Sequence, residues 1–398
     1  MEIKFRTVFN SRGEKTVECE IRENKIKFIS STPSGASKGS KEVYALPIDG
    51  IEKGIKRIKE KLEEIKKIKI EEFQDLRELE KVFEEIDKSE NKQFLGGNLI
   101  LALEYSLLKY YSFKQEKEVF EFLLDSFNTK KVKMPKPLGN VIGGGAHSHN
   151  SLDIQEYLIL PNYKSFKENY EIMETIHKEL KKIFSKKIHN FIAAKTDEGA
   201  WALNTNNLFP LDTLKELIET NEYKINLGLD MAATQIFHNN LYIYKKDKQS
   251  LFPEEQYYFV LELIEKYNLY YVEDPVEEND EEGFEFLKKE SKGNIIGDDF
   301  ICTNLNLLKK RYKYIDGSIV KPNQIGSLIK TYEVIRFLKE KGLISIISHR
   351  SGETEDNILA HLAVGFQTPI IKTGVANGER TSKLNELLRI EEKLEEKY

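Results

Sequence analysis

Apolar and charged positions alternate over Glu2–Phe5 and again over Thr16–Ile21, on either side of the polar stretch SRGEK. Two-residue periodicity broken by a glycine-containing turn predicts a β-hairpin, and Lys25–Ser30 continues the pattern as a third strand. After the glycine-rich segment PSGASKGSKE, Pro33 to Glu42, the period lengthens, and apolar residues recur at helical spacing over Ile51–Ile70, Glu72–Ile86 and Asn98–Tyr110. Residues 1–125 are therefore expected to form an α+β domain.

From Lys133 onward short apolar runs alternate with helical patterns, the texture of β/α units feeding a parallel sheet. In order, the runs are Leu152–Leu160, Phe191–Thr196, Ile225–Asp230, Leu269–Glu273, Asn294–Asp298, Ser318–Lys321, Ser345–His349 and Thr368–Lys372. Eight runs predict a closed α/β barrel over residues 126–398, ending in a charged helix over Arg389–Tyr398.

Composition narrows the function classes. Basic and acidic residues, 61 and 66 of them, are mixed along the chain and leave a net charge of −5, so no broad cationic surface for nucleic acid is expected. Mixed runs such as KRIKEKLEEIKK read as solvated helix faces. Cys19 and Cys302 are too few for a disulfide framework, and the opening MEIKFRTVFNSRG has no apolar leader; a cytoplasmic protein without membrane insertion is the expectation.

Several apolar runs end in a polar residue: Asp230, Glu273, Asp298, Lys321, His349 and Lys372. One acid at a strand end is commonly a helix cap or turn residue. Three acids on successive strands of a barrel, whose C-terminal strand ends converge, supply the oxygen ligands a hard divalent cation needs. Lys321 and Lys372 project into the same mouth, where cationic neighbours and burial favour a neutral amine able to act as a base. His147, among glycines and beside His149, reads on its own as a loop histidine, and Gly143–Gly145 as a tight turn.

The segments SRGEKTVE, PSGASKGSKE, LGGNLILALEYSL, PLGNVIGGGAHSHNSLDIQEYLILP, DEGAWALN, LGLDMAAT, VEDPVEEND, GDDFICTN, VKPNQIGS, SHRSGETEDN and IKTGVANGERTSKLNELLRIEE resemble enolase motif by motif. The resemblance implies an enolase-type modified TIM barrel behind a smaller N-terminal domain whose loop 33–42 is a mobile lid. It implies a Mg²⁺-dependent lyase that interconverts 2-phosphoglycerate and phosphoenolpyruvate in glycolysis and gluconeogenesis. Lys321 is then the base at C2 and Glu198 the acid at the C3 hydroxyl, with Glu156 orienting or sharing that proton. Lys372 contacts the substrate carboxylate, Arg350 and Ser351 hold the phosphate, and His147 and His349 touch substrate. Asp230, Glu273 and Asp298 hold one Mg²⁺, and Ser37 coordinates a second. Arg12, Glu18, Arg389 and Glu392 match positions that pair across a homodimer interface.

The sequence departs from the family pattern at Gly143, Ala146 and Ala200, at Pro322 after the expected base, at Gln235 in place of a glutamate, and at Lys15. These leave the reacting groups in place, while Gly143 and Ala146 remove polar side chains near the substrate. The competing readings are a paralogue acting on another carboxylate and a non-catalytic scaffold. The retained Ser37, Glu198, Arg350 and Ser351 argue against the first, and joint retention of the lysines and acids against the second.

Overall fold

A computed structural model describes residues 1–36 and 39–397. The opening strands β1 (Glu2–Phe9), β2 (Lys15–Glu23) and β3 (Ile26–Ser31) form an antiparallel meander in that order. Helix Gly97–Lys114 lies across β2 and β3. Fourteen of its residues are buried, and Ser106 Oγ donates to the Cys19 carbonyl of β2 at 2.9 Å. A helix apolar on nearly all sides belongs in an interior, and this one is covered by the sheet and by neighbouring helices.

Eight strands close the barrel: β4 (Lys136–Gly143), β5 (Glu156–Pro161), β7 (Ile225–Asp230), β11 (Leu269–Glu273), β12 (Asn294–Gly297), β13 (Gly317–Val320), β14 (Ile344–Ser348) and β15 (Ile370–Gly374), with β15 pairing back onto β4. The short β6 (Trp201–Ala202) extends the edge of β4, and β8 (Phe237–His238), β9 (Leu241–Tyr244) and β10 (Gln249–Leu251) make a separate small sheet.

Three strand expectations need correction. First, β5 runs antiparallel to both neighbours, β4 and β7, so the barrel is not wholly parallel. Second, Phe191–Thr196 is not a barrel strand: Ile192 is 84% exposed, Ala193 has φ 54°, and the segment's pairing is limited to the bridge Lys195–Trp201. Third, the missing strand is β4, with the sequence KPLGNVIG, where proline and two glycines dilute the apolar pattern. Gly139 is needed there, because a Cβ would stand 2.6 Å from Met173 Cε on the helix Phe166–Lys187 packed against β4.

Aromatic rings join the N-terminal segment to the barrel helices. Phe127 stacks on Tyr332 at 4.1 Å between centroids, and Phe73 meets Phe366 edge-on at 5.3 Å. Among the described residues no helix is long and apolar enough to cross a membrane.

Candidate active site

Leu138, Leu158, Tyr271, Ile296, Ile319, Ile346 and Ile370 belong to one buried cluster contributed by the barrel strands. Side chains alternate along a strand, so the residue two positions nearer the mouth faces the same interior. Those residues are Asn140, Glu273, Asp298, Lys321, Ser348 and Lys372. On the reversed β5 the matching position lies two residues before Leu158, at Glu156. Asp230 ends β7 in register with both Glu156 and Glu273. An apolar plug thus lies beneath a layer of polar groups, and the regular pleat sets that layer's composition.

The opposite charges in this layer are paired. Lys372 Nζ lies 2.7 Å from Glu273 Oε2, 3.0 Å from Asp230 Oδ2 and 3.2 Å from Glu156 Oε2. Burial alone disfavours its charge, but Asp230, Glu156 and Glu273 outweigh burial and hold the lysine protonated. Lys321 donates to Asp298 Oδ2, whose other oxygen accepts from Gln324 Nε2 at 3.1 Å. Tyr271 donates to Glu273 Oε2, while Glu273 Oε1 is buried without a hydrogen-bond partner among the described residues. Burial and the neighbouring Asp230 push the Glu273 carboxyl up. An unsatisfied carboxylate oxygen beside two further buried acids fits a hard cation, the partner such oxygens accept most readily. A tighter oxygen cluster joins Asp298 to Asp274 and Asp299, with one atom of each within 4.8 Å. Asp274 is already occupied there, accepting from the backbone N–H of Asp298 at 2.8 Å and of Asp299 at 2.7 Å.

Across the cavity stand Glu198 and the two histidines. His147 Nε2 lies 3.5 Å from Glu156 Oε1 and 3.7 Å from Glu198 Oε1, and His349 Nε2 lies 3.3 Å from Glu198 Oε2. Asn140 Nδ2 donates to Glu198 Oε2 at 3.0 Å. Burial, then the nearby Glu198, push the Glu156 carboxyl up. For His147, burial is outweighed by Glu198 and Glu156, which raise its pKa. At Glu198 burial is outweighed by His349 and His147, which hold its carboxyl well below the usual range, so a proton shared in this cluster rests on Glu156 or His147.

Arg350 and Ser351 follow β14 and line the same cavity, which has an open volume of about 280 Å³. The guanidinium donates to Glu42 Oε1 at 3.0 Å and Asn323 Oδ1 at 2.7 Å. Ser351 Oγ accepts from the Ala36 N–H at 2.6 Å, and Ser34 and Gly352 exchange two backbone bonds of 2.8 Å. The glycine-rich segment is thereby tied to the SHRSG loop. Ser37, expected as a metal ligand, lies outside the described residues.

The structure thus brings together Glu156, Glu198, Asp230, Lys321, His147, His349, Arg350, Ser351 and Lys372 around one cavity, with Glu273 and Asp298 bonded to its lysines. It adds residues that sequence reading passed over. Gln155 donates to Asp230 Oδ2 at 3.1 Å and accepts from Gln235 Nε2 at 2.9 Å, so the Gln235 departure falls within reach of the acidic trio. Glu42 and Asn140 were legible only as motif residues, and Arg380 as one more charge on a helix. Ala146 is exposed, whereas Gly143 is buried against Thr196. Within the chain Arg12 pairs with Asp197, Glu18 with Arg6 and Arg389 with Glu386.

The family model described as "Enolase, N-terminal domain" matches residues 1–123, and "Enolase, C-terminal TIM barrel domain" matches residues 131–398. The chain is 39% identical to an enolase of Archaeoglobus fulgidus, over 98% of this chain and 96% of that one. It is 37% identical to an enolase of Methanosphaera stadtmanae, over 99% and 97%, and 35% identical to one of Methanothermobacter thermautotrophicus, over 99% and 96%. With a closed barrel presenting the acids and lysines in one mouth and both family halves matched, the chain belongs to the enolase family, whose members are lyases.

Proposed function

We propose that this chain is a cytoplasmic enolase that interconverts 2-phosphoglycerate and phosphoenolpyruvate, with residues 126–398 as the catalytic barrel and residues 1–125 as its cap. The observation that carries the reading is the placement of Lys321, Glu198 and Arg350 around one buried cavity. Those three groups supply a base, an acid and a phosphate anchor.

In the dehydration direction, Lys321 removes the proton from C2 and the resulting charge spreads into the substrate carboxylate, which Lys372 contacts. Glu198 delivers a proton to the C3 hydroxyl, which departs as water, and Glu156 orients or replenishes that proton. Arg350 and Ser351 hold the phosphate by charge-assisted hydrogen bonds, and His147 and His349 complete the contacts. Asp230, Glu273 and Asp298 are the ligands proposed for one Mg²⁺ and Ser37 for a second. Bound there, Mg²⁺ supplies the positive charge that stabilises the dianionic intermediate.

Lys321 in the structure is held charged by Asp298 against the burial penalty, while Arg350 and Lys372 work the other way. Were Asp298 to hold a metal, Lys321 would lose its strongest stabilising partner and keep Glu273 alone against burial and the two cations, a balance that favours the neutral amine. We assign segment 33–42 as the lid, supported by the Ser34–Gly352 bridge and the bond from Ala36 to Ser351. A homodimer is proposed through Arg12, Glu18, Arg389 and Glu392.

The test is absorbance of the forming enol phosphate after 2-phosphoglycerate is added to the purified protein with excess Mg²⁺. Turnover that vanishes with chelator and in Lys321→Ala supports the reading; a folded, Mg²⁺-binding protein without turnover overturns it.

A further inference from the structure

We infer that Arg380 is a positioning residue that fixes His349 in the neutral tautomer with its proton on Nε2, making this histidine a hydrogen-bond donor toward Glu198 and the cavity. The catalytic consequence rests on the enolase reading; the tautomer does not.

Arg380 lies in the first turn of helix Gly378–Lys397 and is fully buried. A guanidinium there has left water and must spend its donors on the protein. Its Nη1 lies 2.8 Å from His349 Nδ1 and donates to the Arg350 carbonyl at 2.5 Å. Its Nη2 donates to the carbonyls of Ser351 at 2.6 Å and Asp197 at 3.1 Å. One cation therefore grips the backbone of the phosphate-binding pair, the residue before Glu198, and the imidazole between them.

The bond to the imidazole fixes the proton. A guanidinium carries donors and no acceptor, so Nδ1 must present its lone pair. The Gly374 N–H, also a donor, points at the same Nδ1 from 3.4 Å. With Nδ1 accepting, the ring proton sits on Nε2, which faces Glu198 Oε2 at 3.3 Å and makes no hydrogen bond within the described residues. A buried donor left open toward a cavity is poised for a ligand oxygen or for Glu198.

The groups facing His349 are Glu198, Arg380 and Glu353. Burial and Arg380 disfavour the imidazolium, against Glu198 and Glu353, and the balance brings the ring's pKa down to about 4. His349 thus stays a neutral donor over the working pH range and leaves proton delivery to the carboxyl pair. The alternative is that Arg380 merely staples the helix to the loop, in which case the tautomer would be indifferent to it.

The test is ¹⁵N NMR of histidine-labelled full-length protein, with the His349 signal assigned through His349→Gln. In the wild type we expect the neutral Nε2–H tautomer, with no second proton added to the ring from pH 5 to 9. In Arg380→Met we expect the Nδ1–H form to appear and the ring to titrate nearer the ordinary histidine value, with kcat lowered about 10- to 100-fold and KM little changed. Arg380→Lys, which keeps a donor, should restore the Nε2–H form and part of kcat. An Nδ1–H or protonated ring in the wild type overturns the inference, as does a folded Arg380→Met protein that keeps the wild-type tautomer. If Arg380→Met does not fold, the wild-type spectrum and Arg380→Lys decide. A wild type with the expected tautomer but no turnover would refute the enolase reading and leave this inference standing.

Discussion

Lys372 and Glu273 come from strands diametrically opposite in the eight-strand ring, yet their charged atoms stand 2.7 Å apart. The lysine spans the barrel mouth and closes its charge on acids from the far wall. In the absence of a cation, it neutralises the carboxylates proposed to hold one.

Removing that lysine leaves Asp230 and Glu273 buried without their counter-charge. Lys372→Met should destabilise the metal-free protein by about 3–5 kcal/mol, the usual cost of stripping one partner from a buried pair. Mg²⁺ should restore much of the loss, while turnover stays abolished. Urea unfolding with and without Mg²⁺ measures both, and equal destabilisation in the two conditions would contradict the metal assignment.

Lys321→Ala should retain the fold and lose at least about 10²- to 10⁴-fold in kcat, the range for a positioned general base. Near-UV circular dichroism checks the fold and the enol-phosphate assay checks the rate. Turnover within about twofold of wild type, far inside that range, would exclude Lys321 as the base.

Gly374 carries a close backbone approach: a Cβ there would stand 2.0 Å from the Glu198 carbonyl oxygen. Gly374→Ala must push the Glu198 loop away from β15. Its kcat should fall about 100-fold, as expected when a catalytic group moves by about an ångström, with a smaller effect on KM. Steady-state kinetics beside a thermal melt separates displacement from unfolding.

A pH dependence of stability is expected far from the reaction. Glu104 is fully buried in helix Gly97–Lys114, where Oε2 accepts from the Leu328 N–H at 2.9 Å and Oε1 has no hydrogen-bond partner among the described residues. Burial first, then Glu80, raise its pKa to about 8, against Lys92 and Lys330. Between its ordinary value of 4.5 and pH 8 the folded chain keeps a proton that the unfolded chain loses, so stability falls as pH rises through this window. Glu104→Gln should flatten that slope and stabilise the protein at pH 9 by a few kcal/mol, on the order set by the shift. Urea midpoints at pH 5, 7 and 9 give the comparison; parallel curves for variant and wild type would refute it.

Much of the site was readable because the barrel pleat repeats every two residues. Asp230, Glu273, Asp298, Lys321 and Lys372 each close an apolar run, and the structure puts each at the mouth. Glu156 was not readable by that rule: it opens its strand, and only the reversal of β5 brings a strand beginning to the same rim. β4 was hidden by Pro137, Gly139 and Gly143, residues chosen for close packing rather than for strand propensity. Phe191–Thr196 misled for the opposite reason, being apolar enough for a strand yet meeting the short β6 through the single bridge Lys195–Trp201, outside the closed ring. Arg380 was hidden because its charge fits a solvated helix surface, and only its complete burial shows that it serves the interior.

The pairing of β15 with β4 sets Lys372 beside Leu138, joining the two ends of the barrel sequence. Such a contact is the most expensive in chain entropy and forms late, after the local units it connects. Lys372 sits on the last strand of the ring while Asp230 and Glu156 sit on earlier ones, so a growing chain has the acids before the lysine. Catalytic competence should therefore arrive in one step with completion of the ring, and turnover regained during refolding would time the closing of the seam.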